Sequence, residues 1–331
     1  MNIACPVCEA GESSFHRKVD GFDYFRCVAC GSLHIDNSTL DAVDAGNGTR
    51  VYDAAYWQDE LNAARDRAQG ASLVRAGEAI LYARRPVRRF LDVGTGPGYL
   101  LDTLASHFPA DRDMFHGIEL FPPEDHSANP NYHVGDVRDL DGAFDAGTCI
   151  EMVEHLTPRM LRTLAQGLAS ISAPDTLWLF NTGSPEYVLR EDPGYLDPLR
   201  RGHVVSYGLR GVEHLFEPFG FKVSAIPGKS YAWFAEFSPT ETPDFDERVY
   251  RPLPENRRLL EGCGLLYQAA FESARASLYQ QMPVRASGGG PAVSVDVWNE
   301  YQRMLHSRSW KITRPLRSMA RWLRKARGGA A

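Results

Sequence analysis

The sequence predicts a doubly wound α/β sheet, preceded by a small four-cysteine module and followed by a helical extension. Three observations predict it. Two C-x2-C pairs lie within residues 5–30; from Arg89 onward short apolar runs alternate with helix-like stretches; and that alternation stops after Phe237 in a Pro- and charge-rich segment. The expected organisation is a cysteine module over residues 1–36, a core over 50–240 and a helical extension with a basic amphipathic tail over 241–331.

Composition narrows the class. A chain of 331 residues is long enough for one large core with appendages, and 44% apolar with 24% charged residues is ordinary for a globular protein. No run of 18 apolar residues is present, and MNIACPVCEAG does not read as a secretory signal, so a cytoplasmic location is expected. The net charge of −6 is uneven: residues 301–331 carry nine Lys/Arg and no acid, leaving a more acidic body that is a poor surface for nucleic acid.

Cys5-Pro-Val-Cys8 and Cys27-Val-Ala-Cys30, with 18 residues between the pairs, match the four-cysteine zinc template. Each pair sets two thiolates on a tight turn, and Gly31 stands where the chain must bend after the second. Phe22, Tyr24 and Phe25 suit a short hairpin between them. The cytoplasmic expectation argues against disulfides. Four protein ligands close the coordination sphere, so this zinc is structural. Cys149 and Cys263 read as isolated, buried thiols.

Asp36 to Arg50 is polar and reads as a linker. Tyr52, Tyr56 and Trp57 follow, placed either to lid the cofactor or acceptor or to pack an N-terminal helix, and 62–84 has helical character. RFLDVG, MFHGIEL, NYHVGD, FDAGTCI and TLWLFNTG read as strands in order. Helices are expected at 99–106, 158–172 and 209–219, with FKVSAIPG and SYAWFAEF pairing last. Ligands of such sheets sit at the carboxyl ends of the strands.

The first strand runs into Asp92-Val-Gly94-Thr-Gly96-Pro-Gly98. Glu119 ends the second strand, 21 residues after Gly98, and Asp136 ends the third. This series resembles the Rossmann-like, seven-stranded class I S-adenosylmethionine-dependent methyltransferases, over roughly Tyr52 to Phe237. By that resemblance Gly94, Gly96 and Gly98 admit the methionine part of S-adenosyl-L-methionine, and Asp92 supports the loop and the amino group. Glu119 would accept from the ribose hydroxyls, Asp136 would bond the adenine amino group with Val137 flanking the ring, and Glu151 joins the cofactor-side residues. A nicotinamide dehydrogenase would instead need a pyrophosphate at a helix N-terminus.

After the fourth strand, Glu151, Glu154 and His155 are spaced i, i+3 and i+4, which a helical turn would set on one side. The E-x-x-E-H segment resembles that of ubiquinone-pathway O-methyltransferases and small-RNA ribose methyltransferases. In those families it binds a metal, and in the ribose enzymes another His downstream joins it. His203 occupies the corresponding region here. Three readings stay open: a divalent cation such as Mg²⁺ or Mn²⁺ on Glu151, Glu154, His155 and His203; metal-free transfer with His155 or His203 as general base beside Glu154; or a helix-end role alone. Asn181, Thr182 and Gly183 end the fifth strand. The insertion 184–203, with Tyr187 and Tyr195, is placed for acceptor recognition.

Residues 259–282 have helical spacing. In the tail, Ile312, Leu316, Met319 and Leu323 recur at helical intervals among basic residues with Trp310 and Trp322, a pattern that suits an anionic membrane face, a partner such as a glycosyltransferase, or solvent. SRSWKITRPLR, residues 307–317, resembles a segment near the C-termini of bacterial enzymes of surface-polysaccharide assembly. The resemblance implies O-methylation of a sugar hydroxyl on a small-molecule or lipid-linked glycan, at the inner membrane face. Zinc-ribbon sugar C-methyltransferases carry a longer N-terminal metal domain, which favours oxygen as the methylated atom. The alternatives are a quinone or phenolic acceptor, an RNA methyltransferase, which the acidic body disfavours, and a non-catalytic cofactor-binding adaptor.

Overall fold

The computed structural model describes residues 2–50 and 54–281, the side chains of 54–60 and 281 excepted. The lid expectation for Tyr52, Tyr56 and Trp57 and the tail expectations over residues 301–331 therefore lie outside the described residues.

The centre is β5 (Phe90–Val93), four residues buried throughout because the strand has parallel neighbours on both sides and helices over both faces. β6 (Phe115–Glu119) and β7 (Tyr132–Val134) lie to one side. β8 (Phe144–Ile150), β9 (Ser172–Asn181), β12 (Ala232–Phe237) and β11 (Phe221–Ala225) lie to the other. The order β11-β12-β9-β8-β5-β6-β7, with β12 antiparallel to both neighbours, is the Rossmann-like class I methyltransferase arrangement. Helices α3 (Ala71–Tyr82), α4 (Tyr99–His107), α5 (Pro158–Ser170) and α7 (Leu209–Phe216) flank the sheet; α6 (Pro185–Arg190) lies in the 184–203 insertion.

Several boundaries differ from the sequence pattern. The helical stretch expected over 62–84 is two helices, α2 (Ala54–Ala68) and α3, broken at Gly70. The one over 259–282 is likewise two: α9 (Pro254–Gly262), opened by Pro254, and α10 (Leu265–Gln281), separated at Gly264, whose φ is +63°. The presumed linker after Asp36 contains α1 (Asn37–Asp44). Asp36 caps it, accepting from the Thr39 backbone N–H at 2.9 Å, and Leu40 is buried beneath it. Its last residue, Asp44, accepts a hydrogen bond from Thr157 at 2.6 Å and pairs with Arg159, tying it to the first turn of α5. Cys149 is buried as expected, whereas Cys263 is partly exposed because it lies in the turn between α9 and α10.

The cysteine module is a sheet of its own: β1 (Asn2–Ala4), β2 (Glu12–Val19), β3 (Phe22–Cys27) and β4 (Leu33–Ile35). Its fifth strand, β10 (Val205–Ser206), comes from the far side of the sequence and pairs antiparallel with β4. The module and the core therefore share a ladder. No described helix is long and apolar enough to cross a membrane.

The extension is clamped by a buried ion pair. Arg248, in α8 (Phe245–Tyr250), donates to both oxygens of Glu236 on β12 at 2.8 and 2.7 Å, and also to the Tyr82 carbonyl at 3.0 Å. Both side chains are almost wholly buried, so removing one partner strands a charge in the interior. Glu236→Ala is expected to cost about 3 kcal/mol of unfolding free energy. Urea titration should show this loss, with much of it recovered when Arg248→Met is added.

Candidate active site

The turn after β5 begins the site. Gly94, Gly96 and Gly98 all have positive φ (+68°, +57° and +82°), and a Cβ on Gly98 would meet Ser127 at 2.7 Å and Tyr132 at 2.8 Å. Glycine is thus required both by conformation and by the loop packed over it. That loop is held by the Ser127 N–H donating to the Pro97 carbonyl at 2.9 Å and by the Tyr132 hydroxyl donating to the Gly96 carbonyl at 2.6 Å.

Asp92 is buried and accepts from the Thr148 hydroxyl at 2.8 Å. Burial raises its carboxyl to about 6, so a cationic amino group placed there would gain the charge that the protein leaves uncompensated. Glu119 accepts from the Gly96 N–H at 2.8 Å and the Phe121 N–H at 3.0 Å, which holds the second strand end against the glycine turn. A carboxylate has lone pairs to spare for a hydroxyl pair. Asp136 caps a one-turn 3₁₀ helix (Val137–Asp139), and its oxygens are forked by Arg138 at 2.8 and 3.0 Å. The Val137 side chain is buried against α5 at Gly167. The glycine turn, the uncompensated Asp92 and the Glu119 brace fit the methionine and ribose parts of S-adenosylmethionine.

After β8 the expected single helical turn does not form. Glu151 has φ +53° and its carboxylate accepts from Asn181 at 2.7 Å; only Val153–His155 make a 3₁₀ turn. Although Glu151 is exposed at the surface, desolvation by the densely packed strand ends and the neighbouring Glu154 charge push its pKa up to about 8. The structure then brings Glu154, His155 and His203 together, with one ligand atom from each within 4.8 Å of the others; Glu151 stands outside this group.

Glu154 is fully buried, and neither carboxylate oxygen completes a hydrogen bond of normal geometry among the described residues; the Thr182 and Tyr195 hydroxyls stand nearby and lower its pKa, but burial, the larger effect, raises it. Its Oε1 lies 3.8 Å from Nε2 of His203. The His203 Nδ1 lies 2.7 Å from the Tyr195 carbonyl, and the His155 Nδ1 lies 3.2 Å from the Gly202 carbonyl. A carbonyl only accepts, so each Nδ1 carries its proton and the tautomer of each ring is fixed. Burial lowers the His203 pKa to about 2, so its Nε2 is an acceptor facing another acceptor.

The four cysteines form a second donor set. All are buried, and Sγ atoms of Cys5 and Cys30 are 3.8 Å apart, those of Cys8 and Cys27 3.7 Å. Bonds of about 2.3 Å to a tetrahedral ion give sulfur separations of roughly 3.8 Å. A disulfide would need about 2.05 Å. The geometry therefore fits zinc.

Sequence reasoning placed Tyr24 only in the hairpin between the cysteine pairs and did not single out Ser127, Tyr132 or Met152, which packs against Gly94. Each acts through a contact distant in sequence, and no local motif marks it.

The fold and the glycine turn suit a protein that takes S-adenosylmethionine at its strand ends. The sequence profile of the methyltransferase-domain family matches residues 54–226, just over half the chain; the protein belongs to that family and is an S-adenosylmethionine-dependent methyltransferase. Among solved structures it is similar to CalS10, an amino pentose methyltransferase from Micromonospora echinaspora, with 20% identity, 56% of this chain and 98% of that one covered, and a TM-score of 0.43. It is also similar to DesVI of Streptomyces venezuelae, with 17% identity, coverage of 56% and 99%, and a TM-score of 0.41. The sugar N-methyltransferase KedS8 of a Streptoalloteichus species gives 16% identity, coverage of 54% and 92%, and a TM-score of 0.42. No curated protein matches the chain.

The Asp92 carboxyl has a folded pKa raised above its unfolded value, so its protonated form is favoured by folding. Its contribution to stability is greatest at low pH and is lost as pH rises from about 4 through about 6. Asp92→Asn keeps an acceptor for Thr148 and is expected to be the more stable protein above pH 6, with the gap closing toward pH 4. Its S-adenosylmethionine affinity should fall at least tenfold. Thermal melts across pH 4–8 and a binding titration check both.

Proposed function

We propose that this methyltransferase O-methylates a sugar hydroxyl of a cell-surface polysaccharide or glycolipid precursor, with a divalent cation held by Glu154, His155 and His203. The carrying observation is the buried Glu154 carboxylate, which completes no hydrogen bond of normal geometry, facing the Nε2 lone pair of His203 at 3.8 Å. Two acceptors so placed repel unless a proton on the Glu154 carboxyl, which burial raises, or a cation lies between them; the cation is the reading we adopt, because both imidazoles turn toward the same point. The carbonyl anchors on both Nδ1 atoms are the arrangement that orients imidazoles toward a metal.

One carboxylate and two imidazoles suit Mn²⁺ or another first-row ion better than Mg²⁺, which prefers oxygen. Such an ion would supply a Lewis acid that lowers the pKa of an acceptor hydroxyl. His203 alone is a poor general base, because a group with a pKa of about 2 holds a proton too weakly near neutrality. S-adenosylmethionine, when bound, supplies the activated methyl group. The protein's remaining task is to align the acceptor oxygen with it. The Asn181–Gly183 strand end and the 184–203 segment border this cluster and form the acceptor side: the Tyr195 hydroxyl accepts from Gly183 N–H at 2.8 Å, and the ring of Tyr187 stands 5.6 Å from that of Tyr195.

The sugar acceptor and the surface-polysaccharide setting rest on the resemblance of residues 307–317, and the basic tail would bring the enzyme to an anionic membrane face or a glycosyltransferase. The four cysteines hold a structural zinc in this reading.

Metal analysis of the purified protein should find close to one zinc per chain. Cys27→Ser should lower both zinc content and melting temperature; a metal-free, equally stable wild type would refute the assignment. The activity test uses labelled S-adenosylmethionine with sugar nucleotides and lipid-linked glycans, after mild chelation and then with Mn²⁺ or Mg²⁺ restored. Wild type should lose and regain transfer, while Glu154→Ala stays inactive at unchanged cofactor affinity. Transfer indifferent to chelation would overturn the cation, and transfer confined to phenols or quinones would overturn the sugar.

A further inference from the structure

The cysteine module reaches the Glu154 cluster through the segment that carries His203. Tyr24 lies between the two cysteine pairs on β3, is completely buried, and donates its hydroxyl to the His203 main-chain carbonyl at 2.7 Å. Arg17 on the paired strand β2 donates to the carbonyls of Pro193 and, at 3.3 Å, Leu196. The next residue, Val204, accepts from the Ile35 N–H at 2.9 Å and donates its own N–H to the Glu154 carbonyl at 2.9 Å.

The approach is close on the far side as well. The Ser32 hydroxyl accepts from the Gly208 N–H at 2.9 Å, and a Cβ on Gly208 would meet the Cys30 carbonyl at 2.2 Å. A Cβ on Gly211 would meet Ser32 Oγ at 2.7 Å and lie 3.5 Å from Cys30 Sγ. The chain from Pro193 to Gly211 is thus pinned at successive points to the hairpin that the four cysteines close.

We infer that the cysteine hairpin is a working wall of the active site, and that Tyr24 is a positioning residue that sets His203 against Glu154. The inference rests on the reading of His203 as a ligand of the Glu154 cluster. His203 lies in a turn with few regular backbone bonds of its own, so its imidazole is only as well placed as its carbonyl and its neighbours in the chain. The Tyr24 hydroxyl fixes the carbonyl, the Tyr195 carbonyl fixes the ring, and Ile35 fixes the following residue. Removing the hydroxyl leaves a buried carbonyl without its donor, which the segment relieves by shifting. A shift of under an ångström is enough to spoil a ligand set.

The experiment uses the full-length protein and three variants: Tyr24→Phe, Arg17→Ala and His203→Ala. For each, Mn²⁺ affinity is read by titration, methyl transfer by kcat and KM, S-adenosylmethionine affinity by binding, and folding by melting temperature. Tyr24→Phe is expected to weaken Mn²⁺ binding and kcat roughly tenfold, the size usual for a residue that orients a ligand. Cofactor affinity should be unchanged, and the assay temperature should lie well below the melt. Arg17→Ala, at a less buried site, should give a smaller change of the same kind and serves if Tyr24→Phe does not fold. Unaltered Mn²⁺ affinity and kcat in folded Tyr24→Phe, with both lost in His203→Ala, would overturn the positioning role alone. Unaltered binding and turnover in His203→Ala would overturn the ligand reading beneath it.

Discussion

The backbone of Val204 is the joint on which the site depends. Its carbonyl is held by Ile35 of the cysteine module and its N–H is given to Glu154 of the core, so the two peptide planes that meet at this residue couple β4, the His203 segment and the 3₁₀ turn after β8. Backbone hydrogen bonds are individually modest, about 1 kcal/mol net. Their value here is geometric. The adjoining β4–β10 ladder leaves the segment little freedom to rotate, and the imidazole of His203 inherits that rigidity.

The molecule holds charge apart from solvent for two different purposes. At the edges of the core the buried charges are paired: Arg248 with Glu236, and Lys229 and Arg75 with Glu78. These pairs staple α8 to β12 and the turn before β12 to α3, and desolvation is offset by close partners. At the strand ends the buried acids lack such partners. Asp92 has a hydroxyl and Glu154 completes no hydrogen bond of normal geometry, and burial raises both carboxyls. Unpaired buried acids cost stability, and a cationic ligand bound there would offset that cost. The difference between the two sets separates scaffold from site.

The glycine turn obeys the same division of labour. Positive φ at Gly94, Gly96 and Gly98 opens the turn, and the loop carrying Ser127 and Tyr132 closes over it from the second crossover. Glu119 spans the gap by accepting from Gly96. The glycine-turn end is therefore built from neighbouring crossovers, whereas the Glu154 cluster is braced by segments far apart in sequence, residues 17–35 and 193–208.

The sequence by itself determined the parts whose chemistry is local. The two C-x2-C pairs, the glycine series and the acids at the strand ends are legible because residue type and short spacing already fix what they can do. The period of apolar residues fixed the central strands, but not the breaks at Gly70 and Gly264 or the helix over Asn37–Asp44, where single-residue turns and one buried Leu decide. Only the tertiary structure decided that Glu151 leaves the cluster, that Glu154 is buried without a completed hydrogen bond, and that His203 is held by Tyr24, 179 residues away. The physical reason is that burial and facing are properties of several segments at once. A hydroxyl in a hairpin and a carbonyl in a distant turn become partners only when both strands of the shared ladder are in place.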